Sequence, residues 1–332
     1  MIRRLAAAVV ALCAFVPLAA CSDSSGPLTL KLVTYDSFPK TGTDLNKALD
    51  SFTKLTGVKV EIITAGDTGT MVAKAKLTAG APEGDVMFGV DNTLISSAME
   101  SVVFKGQPIA VDKGDVCVNY DIAWFTKHQL TPPSTLDDLL SPRYKNLLVV
   151  EDATASSPGL AFLLATIAAK GDAWPQYWKA LRANGVEVAT TWDAAYYQRF
   201  SGSAGSKGDK PLVVSYATSP PAEVVFANPP RTEAPTGVAT STCFHQVEYA
   251  GVLAGTAHPV EANKLVLFFT GADFQAALPL SLFVDPIDPN VGLPDVFKKF
   301  AAVPNNPYTI DPALITKNRK QWQDQWTQIV LR

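Results

Sequence analysis

Charged residues are scarce in this chain, and no block of one sign interrupts it. The 332 residues include 28 Lys and Arg and 31 Asp and Glu, so 18% are charged and the formal net charge is −3. No basic stretch offers a footprint for a phosphate backbone, which argues against a nucleic-acid partner. The 47% of hydrophobic residues supply material for packed cores, and the length predicts two domains.

Histidine is also rare, and the usual sequence signatures of catalysis are missing. The three histidines, at positions 128, 245 and 258, stand apart without zinc-ligand spacing. The chain contains no Gly-x-Ser-x-Gly elbow, phosphate-binding P-loop or dinucleotide fingerprint. The sequence therefore disfavours an enzyme and predicts neither a metal nor a cofactor.

The first twenty residues differ in character from the rest. Arg3 and Arg4 precede an uncharged run that ends in Leu18-Ala19-Ala20-Cys21. This pattern predicts a secretory signal over residues 1–20, too short to favour a membrane span. Leu-Ala-Ala-Cys resembles the lipobox of bacterial lipoproteins, so Cys21 is the predicted lipid site and residues 21–27 a flexible tether. Ordinary cleavage after an Ala-x-Ala-like site, with Cys21 incidental, is the alternative.

The chain contains only four cysteines, and the sequence predicts a role for each of them. Cys13 lies in the signal, and Cys21 is the predicted lipid site. An exported protein meets an oxidising compartment, so Cys117 and Cys243 are predicted to form one disulfide bond. Two buried free thiols are the alternative.

Strand and helix patterns alternate along the chain. In the first third, strands are predicted at 28–35, 58–64 and 85–90, and helices at 43–55 and 71–78. This alternation predicts an α/β domain with a mostly parallel sheet. Ligands bind beyond the carboxyl ends of such strands, where Asp36, Asp67 and Asp91 follow. Three carboxylates at one rim favour a cationic ligand.

A second α/β unit is predicted from residue 116 onward. Its strands are expected at 116–120, 147–150, 185–189 and 212–215, and its helices at 160–170 and 174–183. A further strand is expected at 243–250 and a C-terminal helix at 312–330. Ser156-Ser157-Pro158 is typical of a helix N-terminus, where N–H groups and hydroxyls are able to hold an anion. The helically spaced Trp174, Trp178, Trp322 and Trp326 are predicted core residues.

Short segments spread over nearly the whole mature chain resemble the thiamine-binding periplasmic proteins of ABC importers. The segments are Tyr35-Asp36-Ser37-Phe38, Gly66-Asp67, Gly89-Val90-Asp91-Asn92, Ser156-Ser157-Pro158-Gly159-Leu160, Trp192, Ser215-Tyr216-Ala217-Thr218-Ser219-Pro220, Gln246-Val247-Glu248 and Gln321-Trp322 with Trp326. The resemblance implies an α/β, two-lobe periplasmic-binding-protein-like fold of type II. The ligand cleft would lie between lobes joined by crossover strands at 116–120 and 243–249, with the disulfide at the hinge.

The resemblance also implies a domain organisation. Residues 28–115 would form the first part of lobe 1, residues 116–244 lobe 2, and residues 245–290 the return to lobe 1. Residues 291–332 would form a C-terminal helical segment whose lobe the sequence leaves open. The stretch from Met99 to Lys113 is shorter than in the family, so the resemblance implies a trimmed loop of the first lobe at one rim of the cleft.

The resemblance implies the binding residues as well. They are Tyr35, Asp36, Asp67, Thr68, Ser156, Ser157, Trp192, Tyr216, Ala217, Thr218, Ser219 and Phe283. Aromatic faces and carboxylates would hold the thiazolium and aminopyrimidine rings. The two serines and the 216–219 loop would face the hydroxyethyl or phosphate end. Three departures reduce the match: Ala217 lacks a hydroxyl, and Ala222 and Phe283 replace larger aromatic surfaces.

The implied function is capture of thiamine, with its phosphates as an open question, by a monomeric lipoprotein outside the cytoplasm. A lipid anchor would hold it to the membrane, and the permease subunits of an ABC importer would be its partners. The alternatives on the same fold are another organic cation such as a polyamine, or iron(III). Tyr196-Tyr197 raises the iron possibility because adjacent tyrosines mark iron sites in related binding proteins, but the pair falls in a predicted helix.

Overall fold

A computed structural model describes residues 26–332. The predicted signal peptide, the lipid site Cys21 and most of the tether lie outside the described residues. The strands are β1 (Thr29–Thr34), β2 (Lys59–Thr64), β3 (Val86–Asp91), β4 (Ile109–Asp121), β5 (Leu148–Glu151), β6 (Glu187–Ala189), β7 (Leu212–Tyr216), β8 (Thr236–Val252) and β9 (Asp285–Pro286).

Helices cover both faces of the strands. They are α1 (Asp44–Thr56), α2 (Thr68–Leu77), α3 (Ile95–Glu100), α4 (Ile122–Lys127), α5 (Ser157–Lys170), α6 (Trp174–Ala183), α7 (Pro220–Val225), α8 (Pro259–Phe268), α9 (Ala272–Ser281), α10 (Asp295–Phe300) and α11 (Pro312–Val330). A π-helical turn spans Ala194–Arg199. Among residues 26–332, no helix combines the length and apolar character needed to cross a membrane.

The sheet joins two lobes through a pair of long strands. Its order is β2-β1-β3-β8-β4-β7-β5-β6, and β9 pairs with β4. The outer groups are parallel, β1 with β2 and β3, and β5 with β6 and β7. β4 and β8 run antiparallel to each other and connect the two groups. This arrangement has the predicted alternation of strand and helix and the predicted pair of crossover strands.

Two large apolar cores pack against the sheet. One lies within the first lobe, where α1, α8 and α9 cover β1 and β3, with Phe52, Phe88 and Phe274 fully buried. The other is continuous across both lobes: α5 and α6 cover β5 and β7, with Phe162 and Trp178 fully buried, and Met87 of β3 belongs to the same core. α5 is apolar all round because it lies between the sheet and α6, which agrees with the rule that such helices are interior ones.

The crossover strands carry the disulfide bond. Cys117 of β4 and Cys243 of β8 are bonded, with Cα atoms 4.1 Å apart. Both side chains are fully buried. The prediction of this bond is confirmed. Both strands begin earlier than predicted. In β4, charged residues such as Asp112 and Lys113 interrupt the apolar pattern, and in β8 residues 236–242 are small or polar, while the backbone pairing continues through both stretches.

The C-terminal helix α11 packs against α6 of the second lobe. The Trp178 and Trp326 rings meet edge to face at 5.6 Å, and Arg182 binds the carbonyls of Ile329 and Arg332. The predicted divisions at 115/116 and 244/245 fall inside β4 and β8, so both strands belong to both lobes. The division of the chain into the predicted segments stays a prediction.

Candidate functional site

A cavity of about 220 Å³ lies between the lobes at the carboxyl ends of the parallel strands. The first lobe contributes the loop after β1, the start of α2 and residues 281–284. The second contributes the start of α5, residues 192–197 and the end of β7. β8 forms the floor through Glu248. The position agrees with the rule that open α/β sheets bind ligands beyond their strand ends.

Aromatic rings form most of the cavity wall. Tyr35 and Tyr216 stand over the floor, and Trp192 stacks on Tyr196 with ring centroids 4.9 Å apart and an interplanar angle of 14°. The Trp192 indole N–H donates to Ser215 Oγ at 3.1 Å, which fixes the ring orientation. Flat, electron-rich faces of this kind bind planar rings and organic cations.

The Tyr35 ring fits against β3 because the neighbouring residue of that strand is a glycine, Gly89. Gly89 adopts a φ of +93°, which L side chains rarely adopt, at an irregularity in the pairing of β3 with β8. A Cβ atom on Gly89 would lie 2.3 Å from the Tyr35 ring. Gly89 therefore makes room for the aromatic wall.

Asp67 connects the two lobes across the cavity. Its carboxylate accepts a hydrogen bond from the Thr68 amide at 2.9 Å, which caps α2, and one from the Trp192 amide at 3.1 Å. Burial raises the pKa of Asp67, and hydrogen bonds to its carboxylate act in the opposite direction. The Thr70 amide also donates to the Ala155 carbonyl at 3.2 Å, so the lobes are in contact at this edge.

Glu248 is the carboxyl group of the cavity floor. Its side chain is 5% exposed and accepts from the Tyr35 hydroxyl at 3.5 Å and the Gln246 amide at 3.4 Å. Burial raises the pKa of Glu248 well above its usual range, and the neighbouring charge of Asp112 adds to the shift. No lysine or arginine of the described chain lines the cavity.

A family model described as bacterial extracellular solute-binding protein matches residues 90–296. The chain belongs to this family. A thiamine-binding periplasmic protein of Brucella suis is 27% identical over 90% of this chain and 91% of its own length. The protein of that name from Escherichia coli is 27% identical over 91% of this chain and 94% of its own. A solved periplasmic thiamin binding protein superposes with a TM-score of 0.80 at 25% identity, over 92% and 96% of the two chains.

These findings confirm the predicted two-lobe fold of type II periplasmic binding proteins. They also place the chain among proteins that bind solutes and are not enzymes, as predicted.

The structure brings most of the residues predicted for this solute-binding protein to one cavity. Those that line it are Tyr35, Asp67, Thr68, Trp192, Tyr216, Ser219 and Phe283. Phe283 forms the rim with Phe226, their ring centroids 5.4 Å apart. Its φ of +55° is unusual for a non-glycine residue, and the Thr218 hydroxyl binds its carbonyl at 2.5 Å.

The other predicted residues do not line this cavity. Asp36 is exposed and accepts from the Gly66 amide at 3.0 Å. Thr218 and Ala217 are buried, and Ala217 packs against the disulfide. Ser156, 2% exposed, borders a separate cavity. Their part in ligand binding stays a prediction.

The expectation of three rim carboxylates needs a correction at Asp91. Its side chain is fully buried and binds the Thr93 amide at 2.7 Å and the hydroxyls of Thr93 and Ser157. It therefore joins the end of β3 to the start of α5 beneath the cavity, and neither Asp91 nor Ser157 lines the wall. The acidic character of the cavity comes from Asp67 and Glu248 instead.

The sequence analysis did not predict that Glu248, Phe226 and the adjacent tyrosines at 196 and 197 line the cavity. Tyr196 and Tyr197 line the cavity, but Tyr196 donates its hydroxyl to Glu223 at 2.9 Å. Burial raises the pKa of Tyr197 to about 12, which opposes the ionisation that an iron(III) ligand requires. The pair serves better as an aromatic wall. The sequence does offer one indication of a special role for Glu248: it is the one acidic residue of the predicted strand 243–250.

Proposed function

We propose that this protein captures thiamine in the interlobe cavity and delivers it to the permease of an ABC importer. The observation that carries the proposal is a cavity with aromatic walls, an acidic floor and no basic residue in its lining. The relatives named as thiamine-binding proteins, which align with about nine-tenths of this chain, support the same ligand.

The chemistry of thiamine suits this cavity. Its thiazolium carries a permanent positive charge, and its aminopyrimidine is flat. Cation–π contact contributes on the order of 0.5–2 kcal/mol per ring, so Tyr35, Tyr216 and Trp192 are the proposed ring contacts. Asp67, Thr68 and Ser219 would supply hydrogen-bond partners for the ring substituents. Asp36 and Thr218, which do not line the cavity, would hold neighbouring loops in place through their hydrogen bonds with Gly66 and Phe283.

Unphosphorylated thiamine is the preferred ligand in this proposal. A phosphate group would meet the carboxyl groups of Asp67 and Glu248 with no lysine or arginine of the described chain at the cavity wall. The hydroxyl of Ser157, one of the expected phosphate contacts, is bound to Asp91 instead. We therefore expect thiamine diphosphate to bind more weakly than thiamine.

We also propose that the mature protein is a monomeric lipoprotein anchored outside the cytoplasm through Cys21. The N-terminal sequence supports the anchor, and a monomer suffices because one chain supplies every wall of the cavity. Lobe 1 would comprise residues 28–115 and 245–290, and lobe 2 residues 116–244. The contacts of α11 with α6 support assigning the C-terminal helix to lobe 2.

Isothermal titration of the purified protein tests the ligand. Thiamine, thiamine diphosphate, spermidine and ferric citrate would be titrated separately under one condition. We expect the tightest binding for thiamine. Thiamine binding weaker than about 100 µM, roughly 5–6 kcal/mol, would contradict the proposal, because a capture receptor works at low ligand concentration. Tighter binding of spermidine or iron(III) would move the function to that ligand.

A further inference from the structure

Beneath the cavity lies a pair of carboxyl groups that the expected binding residues do not include. Asp112 of β4 and Glu248 of β8 are direct partners in the antiparallel pairing. Their side chains are 0% and 5% exposed, and each carboxyl group is close enough to affect the pKa of the other. Glu248 forms part of the cavity floor, and Asp112 supports it from below.

Neither carboxyl group has the partners that a buried charge needs. The two hydrogen bonds to Glu248 are 3.4 and 3.5 Å long, at the outer limit for such bonds. Both oxygens of Asp112 lack a hydrogen-bond donor. Within the described chain, neither residue forms an ion pair. Unpaired carboxylates in such a setting are unstable, which favours the protonated forms of both groups.

The surroundings of the pair reinforce this state. The titratable groups that act on it from neighbouring elements are acidic or phenolic: Tyr35 after β1, Asp91 of β3, Tyr216 of β7 and Asp285 of β9. The charges of Lys113 and Arg319 act on Asp285 and Asp91 instead. Burial raises the pKa of Asp112 to about 8. Burial therefore shifts both carboxyl groups toward their uncharged forms.

We propose that the Asp112–Glu248 pair is the specificity-determining counter-ion for the fixed positive charge of the ligand. When the cation enters, one carboxyl O–H bond ionises, the proton passes to solvent, and one carboxylate remains beside the cation. The proposal rests on the proposed thiamine-binding function, because the thiazolium supplies that charge. Tyr35 and Tyr216 line the same cavity as Glu248, so their aromatic rings are available to a cation bound there.

Proton release has a direct consequence for affinity. If one proton leaves for each ligand bound, the association constant rises up to tenfold per pH unit. The association constant rises until the Asp112–Glu248 pair of the ligand-free protein loses a proton by itself, near the Asp112 pKa of about 8. Above that pH the association constant should stay level. The control ligand is an uncharged analogue in which a thiophene ring replaces the thiazolium. It keeps the aminopyrimidine, so any effect from protonation of that ring is the same in both ligands. We expect the association constant of the analogue not to rise with pH.

Calorimetry measures the proton directly. Thiamine would be titrated at pH 7 in two buffers that differ in ionisation enthalpy, and the difference in heat gives the protons released per ligand. We expect about one for thiamine and none for the thiophene analogue. Glu248→Gln should abolish the release and weaken thiamine binding at pH 8 at least tenfold. Asp112→Asn should shift the pH-dependent rise to lower pH.

The control variant is Glu61→Gln, which neutralises an exposed carboxyl group on β2. It should leave both affinity and proton release unchanged. Infrared spectroscopy of the ligand-free protein supplies a second measurement. The native protein should show a protonated carboxyl band at pH 7, and Asp112→Asn should reduce it. A native far-ultraviolet circular dichroism spectrum shows that the variant folds.

The outcomes separate this proposal from the proposed function. Tight thiamine binding without proton release would overturn the role of the pair and leave the function standing. Failure of thiamine to bind at any pH would overturn the function, and proton release on spermidine binding would still support the pair. Absence of the infrared band from the ligand-free protein would overturn the proposal whichever ligand binds.

Discussion

The substitution Asp67→Asn separates helix capping from contact between the lobes. One oxygen of Asp67 caps α2 through the Thr68 amide, and the other receives the Trp192 amide of the opposite lobe. Asparagine caps helices as well as aspartate does, so the first bond is retained. Its NH₂ group would then face the Trp192 N–H, placing two donors against each other. The cross-lobe hydrogen bond is lost with little change in side-chain size.

The expected cost follows from the kind of bond that is lost. A hydrogen bond to a charged group contributes about 1.5–3 kcal/mol. Asp67 is only half-buried, so we expect the lower end, about 1.5 kcal/mol, which weakens binding roughly tenfold. Titration calorimetry with thiamine measures this loss, and urea unfolding of the ligand-free protein measures any loss of stability.

The matched control is Asp311→Asn, at the N-cap of α11. Asp311 accepts from the Ala313 amide at 2.8 Å and the Leu314 amide at 3.3 Å, and it lies away from the cavity. The control should leave affinity unchanged. Thiamine affinity of Asp67→Asn within twofold of the native protein would refute the reasoning that this bond holds the lobes on the ligand.

Three further outcomes are expected. Replacing Cys117 and Cys243 with alanine should lower the free energy of unfolding by about 5 kcal/mol in urea titrations, because the bond spans 126 residues, and a loss under 1 kcal/mol would contradict that estimate. Trp192→Ala should remove most of the ligand-induced fluorescence change and weaken thiamine binding by roughly 1–3 kcal/mol, whereas Trp192→Phe, which keeps a ring face, should lose less. Because burial raises the pKa of Asp112, the free energy of unfolding should fall as pH rises from about 4 to 8. Asp112→Asn should flatten this dependence in urea titrations at different pH. An unchanged profile would refute the claim that Asp112 is protonated in the folded protein.

The fold was predictable because its local signals agree with one another. Periodicity marked the helices of the first lobe closely: α1 was expected at 43–55 and spans Asp44–Thr56. α11 matches its expected bounds, since Asp311 caps it and Pro312 begins it. The crossover strands were predicted too short for two different reasons. The first half of β4 contains the charged Asp112, Lys113 and Asp115, and the first part of β8, residues 236–242, consists of small or polar residues without a clear apolar alternation. Backbone hydrogen bonding continues through both parts, and the hydrophobic pattern of the sequence does not show it.

The site was predictable where a residue follows a strand and less so elsewhere. Tyr35, Asp67 and Tyr216 stand at strand or loop ends, and the strand-end rule brought them together correctly. Asp91 stands in the same kind of place, yet it turns inward to bind Ser157. Glu248 lies within a strand, where alternation assigns a side chain to a face of the sheet but does not say that the face borders a cavity.

The two proposed interactions differ in their dependence on lobe closure, and this difference yields a last prediction. Asp112 and Glu248 lie on β4 and β8, the same two strands that the Cys117–Cys243 bond ties together, so their spacing is fixed whichever way the lobes turn. The Asp67–Trp192 bond exists only when the lobes meet.

Charge recognition should therefore survive the loss of closure. We expect Asp67→Asn to release about one proton per thiamine bound, as the native protein does, although its affinity is roughly tenfold lower. Calorimetry in two buffers, carried out at thiamine concentrations that saturate the variant, gives the number. A release that falls in parallel with affinity would show that the carboxyl pair ionises only in the closed cavity, and the proposed independence of the two steps would be wrong.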